Sequence, residues 1–118
     1  MAREFCLDVF RITNYDAFSK DFRLKDQIKA SSGSIMDNIA EGFERSGNKE
    51  FVQFLYIAKG SCGESRSQLY RALDFLYISK EEFDKSIGNI TIIIRFYQIF
   101  KTIRAERFKI QIILNLEF

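Results

Sequence analysis

The sequence predicts an all-α protein, a bundle of helices packed near-parallel along their apolar seams, on three observations. Phe51, Leu55, Ala58, Cys62, Ser65, Leu69, Ala72 and Leu76 alternate spacings of four and three without a break, the 3.5-residue period of near-parallel helix packing. A second series, Leu24, Ile28, Ser31, Ile35, Ile39 and Gly42, precedes it across a glycine-bearing joint. The chain has 13 Phe and no Pro, so large apolar side chains are plentiful and the residue that breaks helices is absent. Residues 1–118 read as one domain, large enough to bury a core without disulfides or metal, with 108–118 a C-terminal extension.

The first helix is expected from Glu4 to Thr13, where Phe5, Val9 and Ile12 recur at helical spacing with Cys6 and Phe10 alongside. "NYDAFSKD" then supplies turn and cap residues, with Ser19 and Asp21 as candidate N-caps. The second helix runs from Phe22 to Glu44, its end marked by Gly42, Gly47 and "RSGN", because glycine closes a helix in the left-handed conformation at little cost.

The third helix is expected from Asn48 to Leu76. Its opposite face carries a second seam, Tyr56, Gly60, Gly63, Ser67 and Tyr70. Each mid-helix glycine costs about 1 kcal/mol relative to alanine. That face is therefore read as an oligomer contact, a tolerated solvent face being the alternative.

"YISKEEF" starts the fourth helix, with Ser79 and Glu82 as a capping box and Ile78 stapled to Phe83. Phe83, Ile87, Ile90, Ile94 and Tyr97 form one seam of this helix, and Ile92, Phe96, Ile99 and Ile103 another. "FKIQIILNLEF" alternates at strand spacing. It reads as an added strand, an oligomer contact or a continued helix.

The chain has no His, which removes imidazole bases, His-paired nucleophiles and HExxH zinc sites. Asp37, Glu41 and Glu44 lack the convergence of a di-metal bundle site and read as a solvated face. Asn38 and Glu41 are expected to bond where helices two and three meet. No phosphate-binding glycine loop occurs, so the protein is expected to be non-enzymatic and without cofactors. The N-terminal stretch lacks an apolar h-region, and no apolar run approaches the ~18 residues of a membrane span, so a cytoplasmic protein without membrane contact is expected. Cys6 and Cys62 lack CxxC spacing and read as buried thiols. A net charge of +2 is too small to imply nucleic acid by itself.

The stretch "QIKASSGSIMDNIAEGFERSGNKEFVQFLYIAKGSCGESRSQLYRA" closely resembles the four-helix-bundle family of 23S rRNA intervening sequence proteins, whose relatives include accessory variability proteins of diversity-generating retroelements. The resemblance rests on Gln27–Ile28, "SI..NIAEG" (Ser34 to Gly42), "KEF..FLYIA.GS" (Lys49 to Ser61), "E...QL" (Glu64 to Leu69) and "LDFLYIS.EEF" (Leu73 to Phe83). It implies an antiparallel up-down-up-down four-helix bundle assembled as a homopentameric ring, no catalysis, and a basic surface for structured RNA or a reverse-transcriptase-type protein partner. On that expectation the nucleic-acid-binding residues are Lys25, Lys29, Arg45, Lys49, Lys101 and Arg104. The alternative is a protein-interaction scaffold whose cations are merely solvated. The sequence departs from the family where Ala30 follows Lys29 in place of consecutive arginines, and where Met36 stands for a proline.

Overall fold

The structure, a computed structural model, describes residues 1–45 and 47–103. The alternating tail and Arg104 lie outside the described residues. Five helices follow one another: α1 (Ala2–Ile12), α2 (Asp16–Lys20), α3 (Phe22–Glu44), α4 (Asn48–Asp74) and α5 (Lys80–Ile103). Among the described residues there is no strand, and no helix is long and apolar enough to cross a membrane.

The short α2 occupies the segment read as a turn, packed through the buried Phe18. Asp21 then caps α3, its carboxylate accepting from the Leu24 amide at 3.1 Å. At the start of α5 the capping box is closed in both directions. The Ser79 amide donates to Glu82 Oε1 at 3.0 Å, and the Glu82 amide to Ser79 Oγ at 3.1 Å.

The seams of α3 and α4 are buried from Leu24 to Gly42 and from Phe51 to Ala72. Leu76 is the exception at 87% exposed. The helix ends two residues earlier than its period suggests, because the Tyr77 amide bonds Ala72 O at 2.8 Å and the Leu76 amide bonds Leu73 O at 3.0 Å. These two bonds form a Schellman closure. Leu76 takes the left-handed position at φ 62.

In α5 the buried series is Phe83, Ser86, Ile90, Ile93, Tyr97 and Phe100, which departs from the expected line at Ile87 and Ile94. The isoleucine-rich run offers an apolar side chain on every face, so composition does not choose among faces; packing puts Ser86 inward and leaves Ile87 and Ile94 half-buried. Gly42 also has a different role from helix termination. It is helical, and a Cβ there would sit 2.7 Å from Phe54 Cβ and 3.0 Å from Phe51 Cδ2. Its missing side chain lets α3 and α4 approach, while Gly47, at φ 152, makes the turn.

Cross-helix contacts fix the topology. Ser31 meets Ser65 (2.7 Å) and Ser34 meets Ser61 (2.9 Å), so α3 and α4 are antiparallel. Phe51 packs edge-on to Phe100, and Tyr70 to Phe83, both at 4.8 Å, which makes α4 and α5 antiparallel. Buried Asp8 of α1 accepts from Lys85 (3.3 Å) and Asn89 (3.4 Å) of α5, and the Cys6 thiol donates to Ser32 O of α3 (3.3 Å). The order α1, α3, α4, α5 thus closes on itself as an up-down-up-down bundle. At 1.5 Å per residue α1 spans about 16 Å against about 40 Å for α4, so it lines only part of the bundle's length. Both cysteines are free.

Candidate nucleic-acid interface

The cations expected from the sequence do not share one surface. Lys25 and Lys29 lie in the first third of α3, whereas Arg45 and Lys49 flank the α3–α4 joint, about 30 Å away along the helix at 1.5 Å per residue. Lys101 follows Phe100, which packs on Phe51, and so belongs to the joint end. Lys25 Nζ donates to Asn14 Oδ1 at 3.4 Å. Arg45 pairs with Glu41 at 2.9 Å and lies over the Phe54 ring at 5.3 Å. Glu41 thus bonds within its own helical turn rather than across the joint. Asn38 likewise donates to Ser34 O (2.8 Å) and Ser34 Oγ (3.1 Å), and Ser34 in turn reaches α4 through the Ser61 hydroxyl.

A different convergence lies where α4 meets α5. Lys59 Nζ sits 5.3 Å and Lys101 Nζ 6.0 Å from the centroid of the Tyr97 ring. The Tyr56 ring lies 6.1 Å from that ring, tilted by 54°. Alongside is a surface depression of about 360 Å³ lined by Tyr56, Ile57, Lys59, Gly60, Gly63 and Arg66. Added Cβ atoms at Gly60 and Gly63 would meet nothing within 4 Å, so the protein's own packing does not require these glycines.

Further along the same groove Lys80 lies over Phe83 (5.0 Å), itself edge-on to Tyr70, and bonds Asp84 at 2.7 Å. Tyr56 and Tyr70 are 62% and 51% exposed. The seam expected as an oligomer contact is therefore an open face in the single chain, and it also carries cations.

Lys59, Arg66 and Tyr97 are site residues that sequence reasoning does not single out. Lys59 and Arg66 are seven residues apart, the same interval that separates Tyr56 from Gly63 and Gly63 from Tyr70, so a basic row beside the second seam was available as a signal. The part played by Tyr97 depends on the register between α4 and α5. Among the described residues no cluster of carboxylates or cysteines could hold a metal ion.

The model of the 23S rRNA-intervening sequence protein family matches residues 1–98 of the chain. A crystal structure of a protein of unknown function from the S23 ribosomal protein family of Bacteroides thetaiotaomicron is similar at a TM-score of 0.76 and 23% identity, covering 88% of this chain and 95% of that one. At that identity the likeness is one of fold. No curated protein sequence matches the chain.

Proposed function

The chain belongs to the 23S rRNA-intervening sequence protein family, and from that premise we propose a non-enzymatic helical bundle that binds structured RNA through the α4/α5 face. The observation that carries this reading is the convergence of Lys59 and Lys101 on Tyr97 beside exposed Tyr56. RNA loops present phosphates, which cations neutralise, and unstacked bases, which stack on aromatic rings. Lys49 stands seven residues before Tyr56 and extends the row toward the joint. Lys25 and Lys29 form a separate set on α3, and Arg104 follows Lys101 by three residues.

A second reading is favoured by the openness of Gly60 and Gly63 beside exposed Tyr56, Ile57 and Tyr70. On that reading the face is covered by another copy of the chain, and the number five comes from the family resemblance. A protein partner for the bundle, of reverse-transcriptase type or otherwise, would leave RNA affinity absent.

Fluorescence anisotropy with a stem-loop RNA and a matched DNA duplex, titrated at several salt concentrations, tests the proposal. For the duplex, log affinity should fall with log salt by about 0.9 per phosphate neutralised. Lys59→Glu with Arg66→Glu is expected to weaken RNA binding at least tenfold and flatten the salt slope, whereas Lys25→Glu with Lys29→Glu should have a smaller effect. Unchanged RNA affinity in the first double variant, with helicity retained by circular dichroism, would sink the α4/α5 assignment.

A further inference from the structure

A polar layer interrupts the α3–α4 core. Ser31, Ser65 and Gln68 are all buried, Gln68 to 6% exposure. Ser31 and Ser65 lie 2.7 Å apart, and Ser31 Oγ donates to Gln68 Oε1 at 2.6 Å. Each hydroxyl has one proton to give. Ser31 has the Ile28 carbonyl at 3.3 Å as a second acceptor, but the 2.6 Å contact to the Gln68 oxygen takes its proton; Ser65 then serves Ser31, and the Gln68 amide nitrogen has no hydrogen-bond partner among the described residues. A buried donor left unmade is unfavourable. Gln68 lines a depression of about 350 Å³ together with Gln27, Ala30, Ser31, Ser34 and Glu64, within the size range of small-ligand sites.

The lining selects the ligand's chemistry. Glu64 precedes Gln68 by one helical turn, so the two share a rim. An ionised carboxylate only accepts, while the amide nitrogen only donates. Among the described residues no cation lines the depression, and Glu64 repels phosphate. Gln27 and the Ser34 hydroxyl can donate or accept, so the discrimination falls to Glu64 and Gln68, which together suit an occupant that sets two donors beside one acceptor on a single edge. Of the four RNA bases only guanine does so on its Watson–Crick edge, with N1–H and N2–H₂ for the carboxylate and O6 for the amide. An arginine side chain satisfies Glu64 but offers nothing to Gln68.

We propose that the α3/α4 depression holds one unpaired guanine of a bound RNA, read by Glu64 and Gln68. The proposal rests on the RNA-binding reading above. Gly63 adjoins Glu64, and with Gly60 it keeps the outer ridge of α4 low between the cationic face and the depression. A strand held on Lys59 and Arg66 can therefore turn a base over the ridge.

The test is anisotropy with three stem-loops that differ in one unpaired loop base, guanine, inosine or adenine. Wild type is expected to prefer guanine over adenine by about tenfold, with inosine, which lacks the N2 donors, in between. Glu64→Gln, at an exposed position, is expected to abolish the guanine-over-adenine ratio, while the adenine stem-loop binds as well as before or better because a charge that repels phosphate is gone. A ratio kept at about tenfold would overturn the role of Glu64. Equal binding of all three RNAs by wild type overturns the guanine site and leaves the RNA reading standing. Should no RNA bind, that reading fails, and guanosine is titrated into ¹⁵N-labelled protein while the Gln68 side-chain amide signals are followed. A shift with guanosine and none with adenosine keeps a guanine site. No shift, or a shift only with N-acetyl-arginine amide, overturns it.

Discussion

Leu76 and Cys62 show opposite ways in which a single residue sits against its surroundings. Leu76 occupies the left-handed position of a Schellman closure with its side chain in solvent, so it meets the steric cost of that conformation without burial to offset it. Leu76→Gly is expected to raise stability by about 1 kcal/mol, read as a higher urea midpoint at unchanged m-value; a lower midpoint would mean that the side chain does something the fold needs. Cys62 is fully packed, and burial pushes its thiol from 9.0 up to about 12, with Arg66 pulling weakly the other way. The folded state therefore holds the proton more tightly than the unfolded state. That contribution to stability is complete below pH 9 and lost as pH rises through about 12. At pH 8 a thiol reagent should label half-buried Cys6 slowly and Cys62 only on unfolding; prompt labelling of both in the native state would contradict the packing.

At the scale of an element, the glycines separate fold from function. Gly42→Ala should destabilise by about 1–2 kcal/mol, because the added methyl meets Phe54 Cβ at 2.7 Å and the helix-propensity gain is smaller than the overpacking cost. Gly60→Ala and Gly63→Ala have open space and should each stabilise by about 1 kcal/mol. If the face is used, the same two substitutions should weaken RNA binding or self-association; stabilisation with neither affected would make it a tolerated solvent face.

The α1–α5 contact makes a further prediction. Partial burial raises the Glu82 carboxyl, but bonds from Tyr15, from the Ser79 amide and hydroxyl and from Arg11 outweigh it, so the carboxyl is held below its ordinary 4.5. Its stabilising contribution is present above the unfolded value and fades as pH falls through the folded one. Glu82→Gln should cost about 1 kcal/mol at pH 7 and make acid unfolding less steep; an identical acid limb in the two proteins would contradict this.

For the whole molecule, the described residues form a rod of 44 × 22 × 19 Å with a radius of gyration of 14.6 Å. Light scattering at low protein concentration should return one chain of 13.9 kDa if the α4/α5 face is open to RNA. A multiple of that mass, reduced to one chain by Tyr56→Ala with Tyr70→Ala, would favour self-association through the same face.

Helices α1, α3, α4 and α5 and the buried faces of α3 and α4 were legible in the sequence because an apolar helical period is a local property of one chain segment, whereas the five-residue α2 is too short to show one. The capping box at Ser79 was equally legible, being a contact across three residues. Leu76 was misassigned because the apolar period runs on past the point where two backbone hydrogen bonds close the helix. The line of α5 was misassigned because its isoleucines left the choice of face to packing. The sequence by itself determined four principal helices and the apolar seams along which they pack. Only the tertiary structure decided which polar groups converge. Tyr97 and Lys101 reach Lys59, and Ser31 reaches Gln68, through the register of antiparallel helices, and that register is set by how whole faces interlock rather than by the spacing within either one.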